Sequence, residues 1–559
     1  MKSERRNVFV TLNTNLIFMA NNLTSSRVDV KVQNISGHSM SHRNSLTSRV
    51  GTLTPVLVEE VCPNSRMHLS TSFSVKLPPL ASETFANIDY RLEAFFVPHR
   101  LLVRNFSNIV AGQNRLGDPQ YYLPVVSFKP IAVQAADELT DNYFDSSTLS
   151  DYLGYRSCQI ETETEFKVSP LPFLAYHLIY DYWYRNKQIQ KPVFDELFAT
   201  TNNIGIARMP SGYFNKNTYL INIADPTDVT TKLVFNDGSN LFSLRQRNFD
   251  SDYFTTATAQ PQLGTAQSVQ LPSTGGMTIA SLRAANSLQQ FAERNNLAGV
   301  DDVNFYKAMF GANLDYGVAQ HPVCLGSASM PIYVNGVYQN GENTTKTNNP
   351  FMSVASQYGS GGVNSTSVVI KDFTAQEYGY IFVIGSLVPK VSYSSGIRRY
   401  LLHHLNDTNL GADFANPMLQ NVGPQPIHNV EFQVTNTTAL NTPIFGYQTR
   451  FAEWMCHPDE VHGEFADGRS LDSFVLQRSF NYSVAGISSS FIQIPTNYLD
   501  QILAVAPASN NRFDYWVDML HTWNISSPLS DFVVPSLQDP AYEHGHNVNI
   551  RRNGVPMIE

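Results

Sequence analysis

The sequence predicts a mainly β protein, a β-sandwich carrying long insertions that hold a few helices. Three observations predict it. Residues 67–77 and 88–97 alternate apolar and polar side chains, the period of a half-buried strand. Strand-like runs recur from residue 54 to residue 480, separated by long polar stretches. Helical segments are few and fall inside those stretches, without the regular strand–helix alternation of an α/β sheet. A chain of 559 residues exceeds the usual size of one core, so two or more domains are the default. One β core enlarged by insertions is the alternative, and no internal repeat is visible.

Residues 1–50 are polar and rich in Asn and Ser, which predicts an extended arm with one short strand at 7–19. Residues 54–61 form a β-branched run ended by Pro63-Asn64. In 67–77 the inward set is Met67, Leu69, Phe73, Val75 and Leu77. In 88–97 it is Ile88, Tyr90, Leu92, Ala94 and Phe96, and Pro98 stops the strand because it has no N–H for the ladder. A short helix follows through Asn108, and 110–165 is irregular. Residues 170–185 read as an aromatic helix with Pro172 in its first turn, where proline is tolerated. Periodicity then fails from about 200 to 272. Ile279, Leu282, Ala285, Leu288 and Ala292 recur at three- and four-residue spacing and mark the clearest helix. Gly359-Ser-Gly-Gly362 marks a loop, 378–389 a buried strand, and 430–434 and 474–480 the remaining strands. The organisation expected is an arm at 1–50, a first part of the sandwich at 51–194, a divergent insertion at 195–240, and the remainder at 241–559.

Composition narrows the function. Only 15% of residues are charged, against roughly 25% in an ordinary soluble domain. Aromatics reach 12%, with 27 Tyr and 34 Phe. Interface cores favour aromatics and exclude Lys and Glu, so this balance predicts a chain that buries surface against partners. The net charge of −9 argues against a free-standing nucleic-acid binder. It leaves room for local contact with DNA beside a basic partner. No apolar run is long enough for a membrane span or an export signal. The four cysteines, Cys62, Cys158, Cys324 and Cys456, lack CxxC spacing, which predicts buried free thiols in a reducing compartment.

Several strings resemble, in order, those of one family. They are Phe95-Phe-Val-Pro-His-Arg-Leu-Leu102, Leu171-Pro-Phe-Leu-Ala-Tyr176, Asp252-Tyr-Phe-Thr-Thr-Ala257, the Leu282-Arg283 to Glu293-Arg294 helix, Glu377-Tyr-Gly-Tyr380 and Phe445-Gly-Tyr-Gln-Thr-Arg-Phe-Ala-Glu-Trp-Met455, followed by Gly463-Glu-Phe465. Together they resemble the major capsid protein of microviruses, small single-stranded DNA phages, in their gokushovirus branch. The resemblance runs from about residue 36 to the C terminus outside 195–240. It implies an eight-stranded jelly roll of the viral capsid type. It also implies a T=1 icosahedral shell of sixty copies of the chain around circular single-stranded DNA. A small basic DNA-binding phage protein and a host cell-surface receptor are the other partners implied, with assembly in the bacterial cytoplasm.

The segment from Phe445 to Trp454 is aromatic, mixed in charge and poor in reactive groups. Phe445, Tyr447, Arg450, Phe451, Glu453 and Trp454 are therefore read as a subunit contact, or as the loop supporting one. Three basic clusters are candidate DNA contacts: Lys2, Arg5 and Arg6; Arg398 and Arg399 before Tyr400; and Arg551 and Arg552. Basic side chains beside aromatics bind single strands by charge and stacking, while ion pairing at interfaces is the competing reading.

Other groupings carry less. Cys456-His457 to His462 offers ligand-type side chains, but Pro458 breaks the run and no second cluster exists, so a turn is the better reading. Asp301-Asp302 and Glu59-Glu60 lack the alternating oxygens of a calcium loop. His403-His404 and His544-Gly-His546 have no spaced partner. No metal, cofactor or catalytic residue is expected. The alternative class is a secreted jelly-roll carbohydrate-binding protein or glycosidase, which would need a carboxylate pair that sequence cannot test.

Overall fold

The computed structural model describes residues 35–103, 147–155, 166–194, 237–261, 279–298, 321–340, 356–405, 423–434, 443–478, 486–503 and 513–529, apart from 79, 81–83 and 240. Short pieces at 106, 110, 125–128, 220–222, 306–307 and 309–312 complete it. The chain divides into two units, 1–36 with 528–559 and 37–527. In the first, the Ser36 hydroxyl donates to the Leu529 carbonyl. The second holds everything that follows.

Eight of the described strands form the main layers of the second unit: β1 (His42–Ser48), β2 (Thr54–Val61), β3 (Arg66–Lys76), β4 (Ile88–Pro98), β5 (Val323–Asn340), β6 (Ser356–Thr374), β7 (Gly379–Pro389) and β8 (Tyr515–Ser527). Hydrogen bonding follows β1-β8-β3-β6 and then β5-β4-β7-β2, all antiparallel. The far ends of β5 and β6 pair with each other and link the two runs. The two runs face each other as layers. Phe73 of β3 lies 5.5 Å from Tyr90 of β4, and Tyr90 lies 5.9 Å from Tyr515 of β8, ring to ring. Met67, Leu69, Val75, Leu92, Ala94, Phe96, Ile381, Val383, Met519 and Trp523 fill the space between them. Each of the larger side chains contributes about 1.5–3 kcal/mol by leaving water.

The alternation read from 67–77 and 88–97 is the observed one. Gly385 of β7 is required by packing, because a Cβ there would lie 2.3 Å from the Tyr90 hydroxyl. β7 and the second half of β4 are buried on both faces. Phe95, Val97, Phe382 and Ile384 point outward onto helix α3 and form a second core with Leu171, Phe173, Leu174 and Ile179. Here α1 is His99–Leu102, α2 is Leu149–Tyr152 and α3 is Leu171–Ile179. The expected aromatic helix at 170–185 is α3, with Pro172 in its first turn, continued by a π turn at Tyr180–Tyr184.

Several expectations change. Residues 36–39 and 42–48, read as arm, are strands that pair with β8. Their polar composition matches an edge whose side chains stay half exposed. Gly359–Gly362, read as a loop, lies inside β6. It carries a register shift, and Gly362 pairs with both Tyr333 of β5 and Lys76 of β3. The glycines sit where β6 passes from one layer to the other, the kind of close bend that favours small residues in a strand. Residues 429–431 are a 3₁₀ turn and the strand precedes them at Gln425–His428. Residues 474–478 join by one isolated bridge, Gln477 to Ser392. The thiols of Cys324 and Cys456 are exposed and that of Cys62 half-buried, all three free. The strand proposed at 7–19, Cys158, His544-Gly-His546 and Asp301-Asp302 lie outside the described residues.

The two longest connections determine where the candidate site lies. β4 ends at Pro98 beside Gly379, while β7 ends at Pro389 beside Ile88. The 99–322 insertion and the 390–514 insertion therefore leave from opposite ends of one layer. Residues 245–258 of the first cross the outer face of that layer to reach the second. Arg247 pairs with Glu93 at 2.7 and 3.0 Å and Arg91 with Asp250 at 2.7 and 2.5 Å. The Phe249 N–H donates to Ile492 O at 2.8 Å.

Candidate contact site

The Phe445–Trp454 segment begins as the strand Ile444–Gln448, paired with Gln425–His428. Its other side meets the first insertion, where Tyr447 and Thr258 exchange backbone hydrogen bonds of 2.8 Å. Between the insertions lies a third core, built on Tyr253, Phe254, Tyr393, Phe432, Phe445, Ala452 and Phe491. Phe445 packs 4.6 Å from Phe432 and 4.7 Å from Phe491. After Gln448 the chain reverses at Phe451, which takes the left-handed φ of 63°. The Phe451 N–H donates to Gln425 Oε1 at 2.9 Å, and Gln425 Nε2 donates to Glu453 at 2.5 Å. One amide side chain thus holds a strained turn and the following carboxylate.

The six sequence-predicted residues therefore divide. Phe445, Arg450 and Phe451 lie inside the subunit, exposed by 2%, 7% and 6%. Arg450 donates to Gly423 O at 3.2 Å. Tyr447 and Glu453 are half-buried. Trp454 is 65% exposed, with Met455 beside it at 61%.

Trp454 edges a cleft of about 560 Å³, lined also by Tyr253, Phe254, Tyr393, Tyr400 and Leu401. Tyr400 and Leu401 are exposed. The sequence reading noted Tyr400 only as a neighbour of two arginines and missed Leu401, while Met455 closed the contact-type segment without being singled out. The adjacent pairs Tyr400-Leu401 and Trp454-Met455 were a visible signal, but only the fold brings them to one cleft.

Arg398 and Arg399, candidate DNA contacts, line the same cleft, and carboxylates already match their charge. Arg398 pairs with Glu460, and this guanidinium holds the Glu460 carboxyl below its usual range. Arg399 donates to Glu431 at 2.9 Å and to Pro426 O at 2.6 Å, and its Nε lies 3.6 Å from Glu453. Glu431 is buried, which pushes its carboxyl upward against the opposing pull of Arg399. The Tyr253 hydroxyl also donates to it at 3.1 Å. Gly396 lets this wall close, since a Cβ would lie 2.1 Å from Glu431 O. His462 and His457 approach Glu460 at 3.3 and 3.7 Å. Among the described residues no three His, Cys, Asp or Glu side chains could hold a metal ion, and no helix is long and apolar enough to cross a membrane. Lys2, Arg5, Arg6, Arg551 and Arg552 lie outside the described residues.

The cleft combines apolar rims, internally neutralised charge and an aromatic floor. A family profile described as "Capsid protein (F protein)" matches residues 26–537. The chain belongs to that capsid protein family. Its relatives carry the same meaning. The chain is 25% identical to "Capsid protein VP1" of Chlamydia phage 1, over 90% of this chain and 96% of that protein. It is 24% identical to "Capsid protein VP1" of Bdellovibrio phage phiMH2K, over 88% and 93%. It is 22% identical to "Capsid protein VP1" of Spiroplasma virus 4, over 89% and 94%. The function is structural, that of a major capsid protein of a microvirus. The secreted lectin or glycosidase alternative is not favoured.

Proposed function

We propose that copies of this capsid protein close into a T=1 shell of sixty around circular single-stranded DNA, with the cleft face as one subunit contact. The observation that carries the contact is Trp454, a large aromatic 65% exposed at the edge of the cleft, whose backbone N–H donates to Phe451 O at 3.0 Å. Exposed Trp and Tyr on a rigid support are the usual centres of interface energy.

The subunit core is read as an eight-stranded jelly roll. The layer orders β1-β8-β3-β6 and β5-β4-β7-β2 support this, because successive strands alternate between layers except at the long β4–β5 connection. The reading needs no cofactor and no catalytic residue. The acidic chain leaves bulk neutralisation of the genome to a small basic phage protein, with the terminal basic clusters as the candidate DNA contacts on the inner face. Arg398 and Arg399 are weaker candidates, since carboxylates already hold them. Residues 195–240 are read as an outward projection at a symmetry axis that contacts a host receptor. Assembly is placed in the host cytoplasm.

The test is Trp454→Ala. Its melting temperature should match the parent, because exposed substitutions stay within about 0.5 kcal/mol, while particle yield falls sharply. Phe445→Ala should instead destabilise the subunit by about 3–5 kcal/mol through a core cavity. Normal particle yield from Trp454→Ala sinks the contact assignment.

A further inference from the structure

Two imidazoles face each other where the edge strand β1 joins the sheet. Among the described strands β1 pairs with β8 alone, and in that ladder His42 stands directly opposite His521. His521 is fully buried, while His42 is half-buried with its ring 5.1 Å away. His521 Nδ1 lies 3.0 Å from Thr71 Oγ1, and its Nε2 is buried and makes no hydrogen bond among the described residues. His42 Nδ1 lies 2.9 Å from Met40 O.

This place suits neutral rings. A buried charge is costly unless it is paired, and two cations this close repel each other. The surrounding groups supply little compensation. β3 offers the neutral Thr71 opposite His521. Burial pushes the Glu59 carboxyl of β2 upward, against the pull of His42, so acid neutralises this counter-charge early. Asp518 of β8 lies on the other face of the sheet, where it accepts from Arg43 and Ser45. The Arg43 guanidinium, and then the Ser45 hydroxyl, lower the Asp518 pKa to about 2, so this outer pair keeps its charges in mild acid. Only the inner face of the β1–β8 junction then responds to pH.

We infer that His42 and His521 form an acid-operated latch: neutral, they keep β1 in the sheet, and charged, they release it from β8. Release is local because β1 has one strand neighbour, whereas β3 and β4 each have two. Opening brings His521 into water, where an imidazole takes up a proton near pH 6.5. Each pH unit below that favours the open form by up to about tenfold, until the closed form binds the proton as well. The open form bares the edge of β8 along residues 515–521, whose backbone groups can then take another strand. The latch does not depend on the shell or on the cleft contact.

Amide hydrogen exchange on the full chain tests it, read as protection factors, which remove the intrinsic effect of pH on exchange. From pH 7 to about pH 4.5 the protection of residues 42–48 should fall at least about tenfold more than that of residues 88–97 in β4. His521→Gln should remove this excess loss, and His42→Gln, at the half-buried position, should reduce it. Arg43→Gln is the control: it weakens β1 at both pH values and leaves the excess in place. Equal losses in β1 and β4, no loss in β1, or an excess that survives in the histidine variants overturns the inference. If His521→Gln does not fold, the result from His42→Gln decides.

Discussion

Tyr393 donates its hydroxyl proton to Asp252 Oδ2 at 2.7 Å, and this bond joins the two long insertions. Asp252 also accepts, through Oδ1, from the N–H groups of Phe254 and Thr255 at 2.8 and 2.7 Å. One carboxylate thus shapes a turn in the first insertion and anchors a tyrosine of the second. Tyr393 lies at the base of the cleft, its ring 4.8 Å from Phe254.

Tyr393→Phe keeps the ring and removes the bond. A hydrogen bond to a charged group is worth about 1.5–3 kcal/mol, so stability should fall by that order. Urea unfolding checks it. A loss near zero would mean that the two insertions hold together by their aromatic core alone.

Phe451 sits at a φ that costs an ordinary residue about 1–2 kcal/mol. Phe451→Ala and Phe451→Gly both lose the buried ring, but only glycine relaxes the backbone. The glycine variant should therefore be the more stable by about 1 kcal/mol, the reverse of the usual ranking. Equal melting temperatures would show that Gln425 holds the turn without strain.

His521 of β8 stands opposite His42 of β1, with the rings 5.1 Å apart, and its Nδ1 lies 3.0 Å from Thr71 Oγ1. Burial, and then the nearby His42, lower its pKa to about 4. The folded value is below the ordinary 6.5, so the unfolded chain binds the extra proton first. Stability is complete above about pH 6.5, falls as pH drops towards 4, and the dependence ends below that. The loss is on the order of 1–3 kcal/mol. His521→Gln should flatten the slope of stability between pH 6.5 and 4, measured by denaturant titration at each pH. An unchanged slope would place the acid sensitivity elsewhere.

Deleting 205–235 tests the outward reading of the divergent insertion. Most of this segment lies outside the described residues, but Leu220–Asn222 adds a strand to a small sheet beside Val125–Phe128. Loop length enters closure entropy only logarithmically, roughly 0.6 kcal/mol per doubling. Particles should therefore form yet adsorb poorly to the host. Failure to assemble would make the segment an internal structural element.

The strands were legible because their information is local. Residues 67–77 and 88–97 alternate with period two, 279–292 carry the helical period, and 170–185 show an aromatic run with a proline in its first turn, so neighbouring residues alone specify them. The 3₁₀ turn at 429–431 and the strand through Gly359–Gly362 were misread for the opposite reason. Apolar content at Val430–Val434 and glycine content at 359–362 suit more than one backbone. Distant pairing with β3 and β5, and the Arg399–Glu431 pair, decide between them.

The same division runs through the candidate site. The sequence by itself determined a mainly β chain with a low charge fraction, and a contact-type segment from Phe445 to Trp454. Only the tertiary structure decided that Phe445, Arg450 and Phe451 face inward, and that Trp454 joins Tyr400 and Leu401 at one cleft. Exposure depends on what folds back over a residue. Here Phe432 and Phe491 cover Phe445, and Tyr253 and Phe254, from an insertion some two hundred residues earlier in the chain, complete the same core, a separation no local pattern encodes.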